Sequence, residues 1–316
     1  MENNLLGNTS LLVSKLCFGS LTMGPLQANK SPEEGGRLLL HGFEKGINFI
    51  DTAELYETYP HIQNALNQWD REKIIIATKS YAYSRETAEA SLHKALKEMN
   101  IDYIDIFLLH EQESQYTLKG HWEAFTYFMK MKEKGYIKAL GISTHTIAAV
   151  AASLEIKEIE VLHPIVNMAG LGIQDGSIEE MVHLLEKAKK MGKGIYGMKP
   201  LGGGNLLKNY KDCLDFVLDL SCLDAIAVGM QTIEEIDDNV AVFEGKDIDE
   251  ALLTKIKNKK RRLMIDFWCE ACGKCAETCS HRALMMTDEG LVVDHEKCVL
   301  CGYCSKSCPH FCIKVI

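Results

Sequence analysis

Along the 316-residue chain, short apolar runs alternate with amphipathic stretches. Runs rich in β-favouring residues predict strands over Leu16 to Gly19, Ile47 to Thr52, Lys73 to Lys79, Tyr103 to His110, Ile137 to Ser143, Val161 to Asn167, Gly194 to Lys199 and Ala225 to Met230. Between them apolar residues recur at helical spacing, as in Leu92, Ala95, Leu96 and Met99, and again in Met181, Leu184, Leu185 and Ala188. Ser31-Pro32-Glu33-Glu34 reads as a helix start, with Ser31 as cap, Pro32 in the first turn and Glu34 completing a capping box. Ahead of the first strand a small hairpin is expected, turning at Gly7 to Ser10. Strands alternating with helices in this way predict an α/β fold, a parallel sheet closed into a (β/α)8 TIM barrel with an N-terminal hairpin. The open doubly wound alternative is weakened because no G-x-G-x-x-G follows the first strand. A last helix is expected over Asp247 to Met264, carrying Lys255, Lys257, Lys259, Lys260, Arg261 and Arg262. Those cations read either as a solvated helix end or as a docking patch for an acidic redox partner.

In such a barrel the active site lies where strand carboxyl ends converge. The second strand ends in Asp51, with Tyr56 on its outgoing loop; the third ends in Lys79 and the fourth in His110. Each alone has an ordinary explanation, as a loop cap, a rim lysine or a satisfied core histidine. Together they suit carbonyl reduction. A free phenol holds its proton up to about pH 10, and a neighbouring ammonium is expected to lower that value. In this scheme Lys79 acidifies Tyr56, Asp51 holds Lys79, and His110 donates a hydrogen bond to the substrate oxygen.

Past Asp266 the composition changes abruptly, so the domains are expected at 1–265 and 266–316. Nine of the 12 cysteines fall between Cys269 and Cys312. They form Cys269-x2-Cys272-x2-Cys275-x3-Cys279 and Cys298-x2-Cys301-x2-Cys304-x3-Cys308-Pro309, the spacing of bacterial iron–sulfur runs. Three close thiolates cover only one side of a cubane, so a fourth must come from elsewhere; zinc, with four ligands per site, is the alternative. Cys312, Cys17, Cys213 and Cys222 read as buried fillers. A net charge of −9 argues against general nucleic-acid binding. No apolar run approaches the roughly 18 residues of a membrane span, and the opening residues do not read as a secretory signal, so a cytoplasmic protein is expected.

DTAELY, IATKS and LLH, in that order on consecutive strands, resemble the aldo-keto reductases over residues 1 to about 265. The resemblance implies a tetrad of Asp51, Tyr56, Lys79 and His110. It also implies NADP or NAD across the barrel mouth, contacted by Gly19, Ser20, Ser143, Asn167, the loop Pro200, Leu201, Gly202 to Gly204 after Lys199, and Gly229 to Asn239. The glycines there read either as a tight turn or as room for a pyrophosphate. The chain departs from the family pattern at several positions. Thr144 replaces an Asn, His163 a Gln that holds the carboxamide, Met198 the ring that stacks on the nicotinamide, Glu235 a base facing a 2′-phosphate, and Glu57 a Gly. Residues 266 to 316 resemble two-cluster ferredoxins, a small α+β ferredoxin-like domain, although Ser280 stands where a proline often follows the first run. The resemblance implies that one [4Fe-4S] cluster takes Cys269, Cys272, Cys275 and Cys308, and the other Cys298, Cys301, Cys304 and Cys279.

A hydride carries two electrons whereas each cluster passes one, so coupling the halves calls for a splitter such as a flavin or a radical-stabilised substrate. Three readings stay open. The barrel interconverts a small carbonyl and its alcohol while the clusters trade electrons with a ferredoxin or flavodoxin. Alternatively, an ordinary nicotinamide-dependent reductase carries structural or redox-sensing clusters. In the third, a non-catalytic electron carrier sits on a degenerate barrel.

Overall fold

The structure is a computed structural model that describes residues 1–246 and 260–316. Strands β1 (Asn3–Leu5) and β2 (Leu12–Ser14) form the expected antiparallel hairpin. Eight parallel strands follow: β3 (Leu16–Gly19), β4 (Phe49–Asp51), β5 (Ile75–Ser80), β6 (Ile104–Leu109), β7 (Ile137–Thr144), β8 (Val161–Pro164), β9 (Gly194–Met198) and β10 (Ala225–Gly229). They close into a barrel in the order β10-β3-β4-β5-β6-β7-β8-β9. Two strands, β4 and β8, are shortened most against the apolar pattern. Ile47 and Asn48 stay outside β4, and the Asn48 amide instead binds Ser14 N–H and Leu12 C=O of the hairpin. Strand β8 stops at Pro164, which has no N–H to extend a ladder, and beyond it the Asn167 amide closes a turn onto Leu171.

Strand period decides which side chains meet. Cys17, Phe49, Ala77, Ile106, Leu108, Val161 and Tyr196 point inward and pack with Leu6, Leu11 and Val13 of the hairpin, which fills the amino end. Their neighbours Phe18, Ile50, Ile76 and Phe107 point outward into the larger core beneath the helices. Helix α1 (Pro32–Glu44) begins at the predicted capping box of Ser31, and α7 (Ile178–Lys190) opens with a second such box at Ser177. Asp51 and Lys79 lie two residues beyond Phe49 and Ala77. They continue the inward rows to the carboxyl mouth.

The helix expected over 247–264 is corrected at its end. Residues 247–259, with Lys255, Lys257 and Lys259, lie outside the described residues, and Leu263–Ile265 form strand β11. β11 pairs antiparallel with β14 (Ile313–Val315), because the last strand offers backbone partners that a helix there would forfeit. The cysteine-rich part adds the hairpin β12 (Leu284–Thr287) and β13 (Gly290–Val293) and short helices at Lys274–Thr278 and Tyr303–Ser307. Its halves repeat: Ala271, Gly273 and Arg282 have positive φ, and so do Leu300, Gly302 and Phe311 at the matching places. This part roofs the barrel mouth. Asn205 Nδ2 donates to Ile313 O at 3.0 Å, and a Cβ on Gly204 would stand 1.9 Å from Val315 O, so only glycine fits there. No helix among the described residues is long and apolar enough to cross a membrane.

Candidate active site

The inward rows bring the four sequence-predicted residues together. Lys79, fully buried, donates from Nζ to Asp51 Oδ2 at 2.8 Å, to Thr52 O at 2.8 Å and to Tyr56 OH at 3.4 Å. Tyr56 ends a short 3-10 turn after β4, and Glu57 behind it takes φ 53, the left-handed backbone that suits the glycine usual there. The Tyr56 and His110 rings meet edge to face with centroids 5.7 Å apart.

The electrostatics correct one expectation. Burial, then Asp51, Glu111 and Tyr81, push the Tyr56 phenol well above its ordinary range instead of below it. The Lys79 ammonium, which sits on the Asp51 carboxylate and 4.6 Å from the phenol ring centroid, does not outweigh these influences. Burial opposes ionisation of Asp51, yet Lys79 and then His163 hold its carboxyl well below the usual carboxylate range. Burial lowers His110 to about 3. At neutral pH the site thus holds a protonated phenol, a neutral imidazole and a paired carboxylate.

Several residues at the site carried no sequence signal that was read. Tyr196 donates to Asp51 Oδ1 at 3.0 Å, and its inward place on β9 follows from strand alternation with Met198. Tyr81 stacks on His110 at 4.5 Å and 22° and donates to Glu111, each residue lying one position past its strand. His145 accepts from Lys199 Nζ at 2.9 Å. The last two pairings join different loops, and nothing local encodes them.

The residues assigned to a nicotinamide cofactor are largely engaged with other parts of the chain. His163 stacks on Tyr196 at 3.9 Å, with Nδ1 bonded to Tyr196 O and Nε2 3.5 Å from Asp51 Oδ1. Ser143 Oγ accepts from Glu111 N at 2.9 Å, and Ser20 Oγ lies 2.8 Å from Thr58 Oγ1. Both ends of the Asn167 amide bind Leu171. Glu235 Oε2 accepts from Gln231 N at 2.8 Å, closing the start of α9 (Ile233–Phe243), and Asn239 Oδ1 accepts from Tyr210 OH. Gly19 and Gly229 pair side by side on β3 and β10. Met198 packs under Phe311, and Lys199 adopts φ 59 at the head of the Pro200, Leu201, Gly202 loop.

In the cysteine-rich part, Cys269, Cys272, Cys275 and Cys308 line one cavity. Cys298, Cys301, Cys279 and Cys275 all stand near Cys304. Cys308 thus stands beside the first run and Cys279 beside Cys304 of the second. Each accepts a backbone N–H at 3.3 Å, Cys279 from Ala283 and Cys308 from Cys312, a bond suited to a cluster thiolate. Two groups of thiolate side chains in this order suit the chemistry of iron–sulfur ligation.

Comparison with known proteins agrees with both halves. Residues 15–216 match the model of the aldo/keto reductase family and residues 268–312 that of the 4Fe-4S dicluster domain. An Arabidopsis thaliana L-galactose dehydrogenase is 23% identical over 301 residues, covering 81% of this chain and 93% of that protein. A Glycine max protein named "Probable aldo-keto reductase 1" is 30% identical over 219 residues, 63% of this chain, which spans only 59% of that relative. Among solved structures, an aldo-keto reductase from Pseudomonas aeruginosa superposes with a TM-score of 0.65 at 24% identity, covering 77% of this chain and 94% of that one. A Bombyx mori aldo-keto reductase solved in complex with NADP superposes with a TM-score of 0.61 at 16% identity, covering 80% and 92%. A family model that spans well over half the chain, on a barrel closed by parallel strands, makes this an oxidoreductase that belongs to the aldo/keto reductase family, with a 4Fe-4S dicluster domain behind its barrel.

Proposed function

We propose that the barrel interconverts a small carbonyl compound and its alcohol at Asp51, Tyr56, Lys79 and His110. Its partner is a one-electron carrier of the ferredoxin or flavodoxin class. The observation that carries this reading is the Lys79 ammonium within 3.4 Å of a half-buried, protonated Tyr56 hydroxyl, at the mouth where the cysteine-rich part docks.

The residues divide the work by charge. As electrons reach the carbonyl, negative charge grows on its oxygen, and Tyr56, whose proton is held tightly, delivers that proton only once the charge is large. Lys79 faces the phenol oxygen and offsets the phenolate left behind. Asp51, fixed by Tyr196 and Lys79, keeps that ammonium in place. His110, neutral at working pH, gives the substrate oxygen an N–H without a second positive charge. Clusters held by the two cysteine groups would supply electrons singly.

The balance closes without a hydride. One carbonyl takes two electrons from two molecules of reduced carrier, one proton from Tyr56 at oxygen and one from solvent at carbon. The C=O π bond breaks and a C–H and an O–H bond form.

The test is anaerobic. Cluster-loaded protein, reduced by dithionite, is mixed with a panel of small aldehydes and ketones, and the return of the oxidised clusters' visible absorbance is followed with alcohol formation. At least one carbonyl should reoxidise the protein, and Tyr56→Phe should slow this by about 10²–10⁴ while cluster absorbance is unchanged. Indifference to Tyr56→Phe would remove the barrel from the chemistry.

A further inference from the structure

Ligands of a parallel barrel bind at its carboxyl mouth, and the resemblance puts a nicotinamide over Met198 and a pyrophosphate on the loop after Lys199. Both places are filled by the chain's own end. Phe311 is 1% exposed and packs with Ile165, Leu171 and Met198. A Cβ on Gly172 would approach the Phe311 ring to 3.0 Å, and one on Gly203 would stand 2.6 Å from Lys314 Cδ. Val315 O lies against Gly204, so the close approach that these glycines permit is to strand β14. Lys314 Nζ stands 3.8 Å above the Phe311 ring, donates to Phe311 O and pairs with Asp266 at 3.2 Å, which ties the segment down from the cysteine-rich side.

The internal repeat shows that this insertion is specific to one half. Arg282 occupies the matching place after the first run, with φ 50 against 48 for Phe311, yet it is exposed. Only the loop that carries Cys308 is turned into the barrel.

We infer that the segment Cys308 to Val315 takes the seat that a nicotinamide dinucleotide would need, so the barrel is served by a one-electron carrier and not by NADH or NADPH. This deepens the carbonyl-reducing reading by excluding a nicotinamide dinucleotide as its reductant, and it rests on that reading for the reaction served. It also gives Phe311 a place: it joins the Cys308 group to the floor of the substrate mouth through packed side chains.

The test is binding to the cluster-loaded, full-length protein under anaerobic conditions. NADH and NADPH are each titrated by equilibrium dialysis up to about 1 mM, the upper end of usual KM values, while amide exchange of residues 308–316 is followed. No saturable binding is expected, and exchange in 308–316 should stay slow and unchanged by either nucleotide. Saturable binding of either nucleotide, or faster exchange of that segment in its presence, would overturn the inference. This readout needs no turnover. A protein that binds no nucleotide and reduces no carbonyl would sink the proposed reaction and leave the seat assignment standing.

Discussion

At the scale of single residues, the site depends on one buried charge pair and its surroundings. Asp51 accepts from Lys79 and Tyr196 and lies 3.5 Å from His163, all at the closed end of an inward row. Replacing Lys79 by Met leaves that carboxylate in a place water does not reach. The cost expected is about 3–5 kcal/mol of stability, measured as a shift of the denaturant midpoint, and the double replacement with Asp51→Asn should recover part of it. A midpoint unchanged in Lys79→Met would mean that the pair is solvated. The residue identities were legible as end-of-strand polar positions. Their protonation was not: Tyr56 has its ammonium neighbour, but burial and two nearby acids outweigh it.

At the scale of elements, the two cysteine runs are the most regular feature of the chain, and spacing alone exposed them. The exchange of the fourth sulfur between runs is implied by resemblance, and the short helices at Lys274–Thr278 and Tyr303–Ser307, which lie against each other, bring the ends of the two runs near one another. Cys308→Ser should therefore cost the cluster of the first run, halving iron and sulfide per chain to about four each, with the remaining signal from one cluster. Cys312→Ser, which removes a sulfur that contacts His310 O, should retain both. Iron analysis and low-temperature electron paramagnetic resonance of the reduced proteins check this. Full iron in Cys308→Ser would contradict the exchange.

At the scale of the whole molecule, three of the buried histidines, His110, His145 and His163, have ring pKa values lowered chiefly by burial. Unfolded imidazoles take up protons below about pH 6.5, whereas folded His110 does so only near 3. Across that window the unfolded chain holds more protons, so stability falls as pH falls, by up to about 1.4 kcal/mol per pH unit for each such group. Denaturant midpoints at pH 7.5 and 5.5 should differ accordingly, and His163→Gln should narrow the gap. An equal gap in that variant would show that His163 protonates in the folded protein.

What the sequence by itself determined is whatever depends on near neighbours in the chain. Strand and helix order follow from apolar period, α1 and α7 start at Ser31 and Ser177 because their caps are local, and Asp51, Lys79 and His110 reach one mouth because each ends a strand. Only the tertiary structure decided what depends on distant residues meeting. Leu263–Ile265 became a strand because the chain's last residues supply its partner, and the loop Gly202–Gly204 approaches Val315 because β14 lies across it. Phe311, an unremarked aromatic between two cysteines, fills the place over Met198 because the cysteine-rich part docks at that mouth. Such contacts are set by burial and shape complementarity between surfaces about a hundred residues apart, on which no local pattern reports.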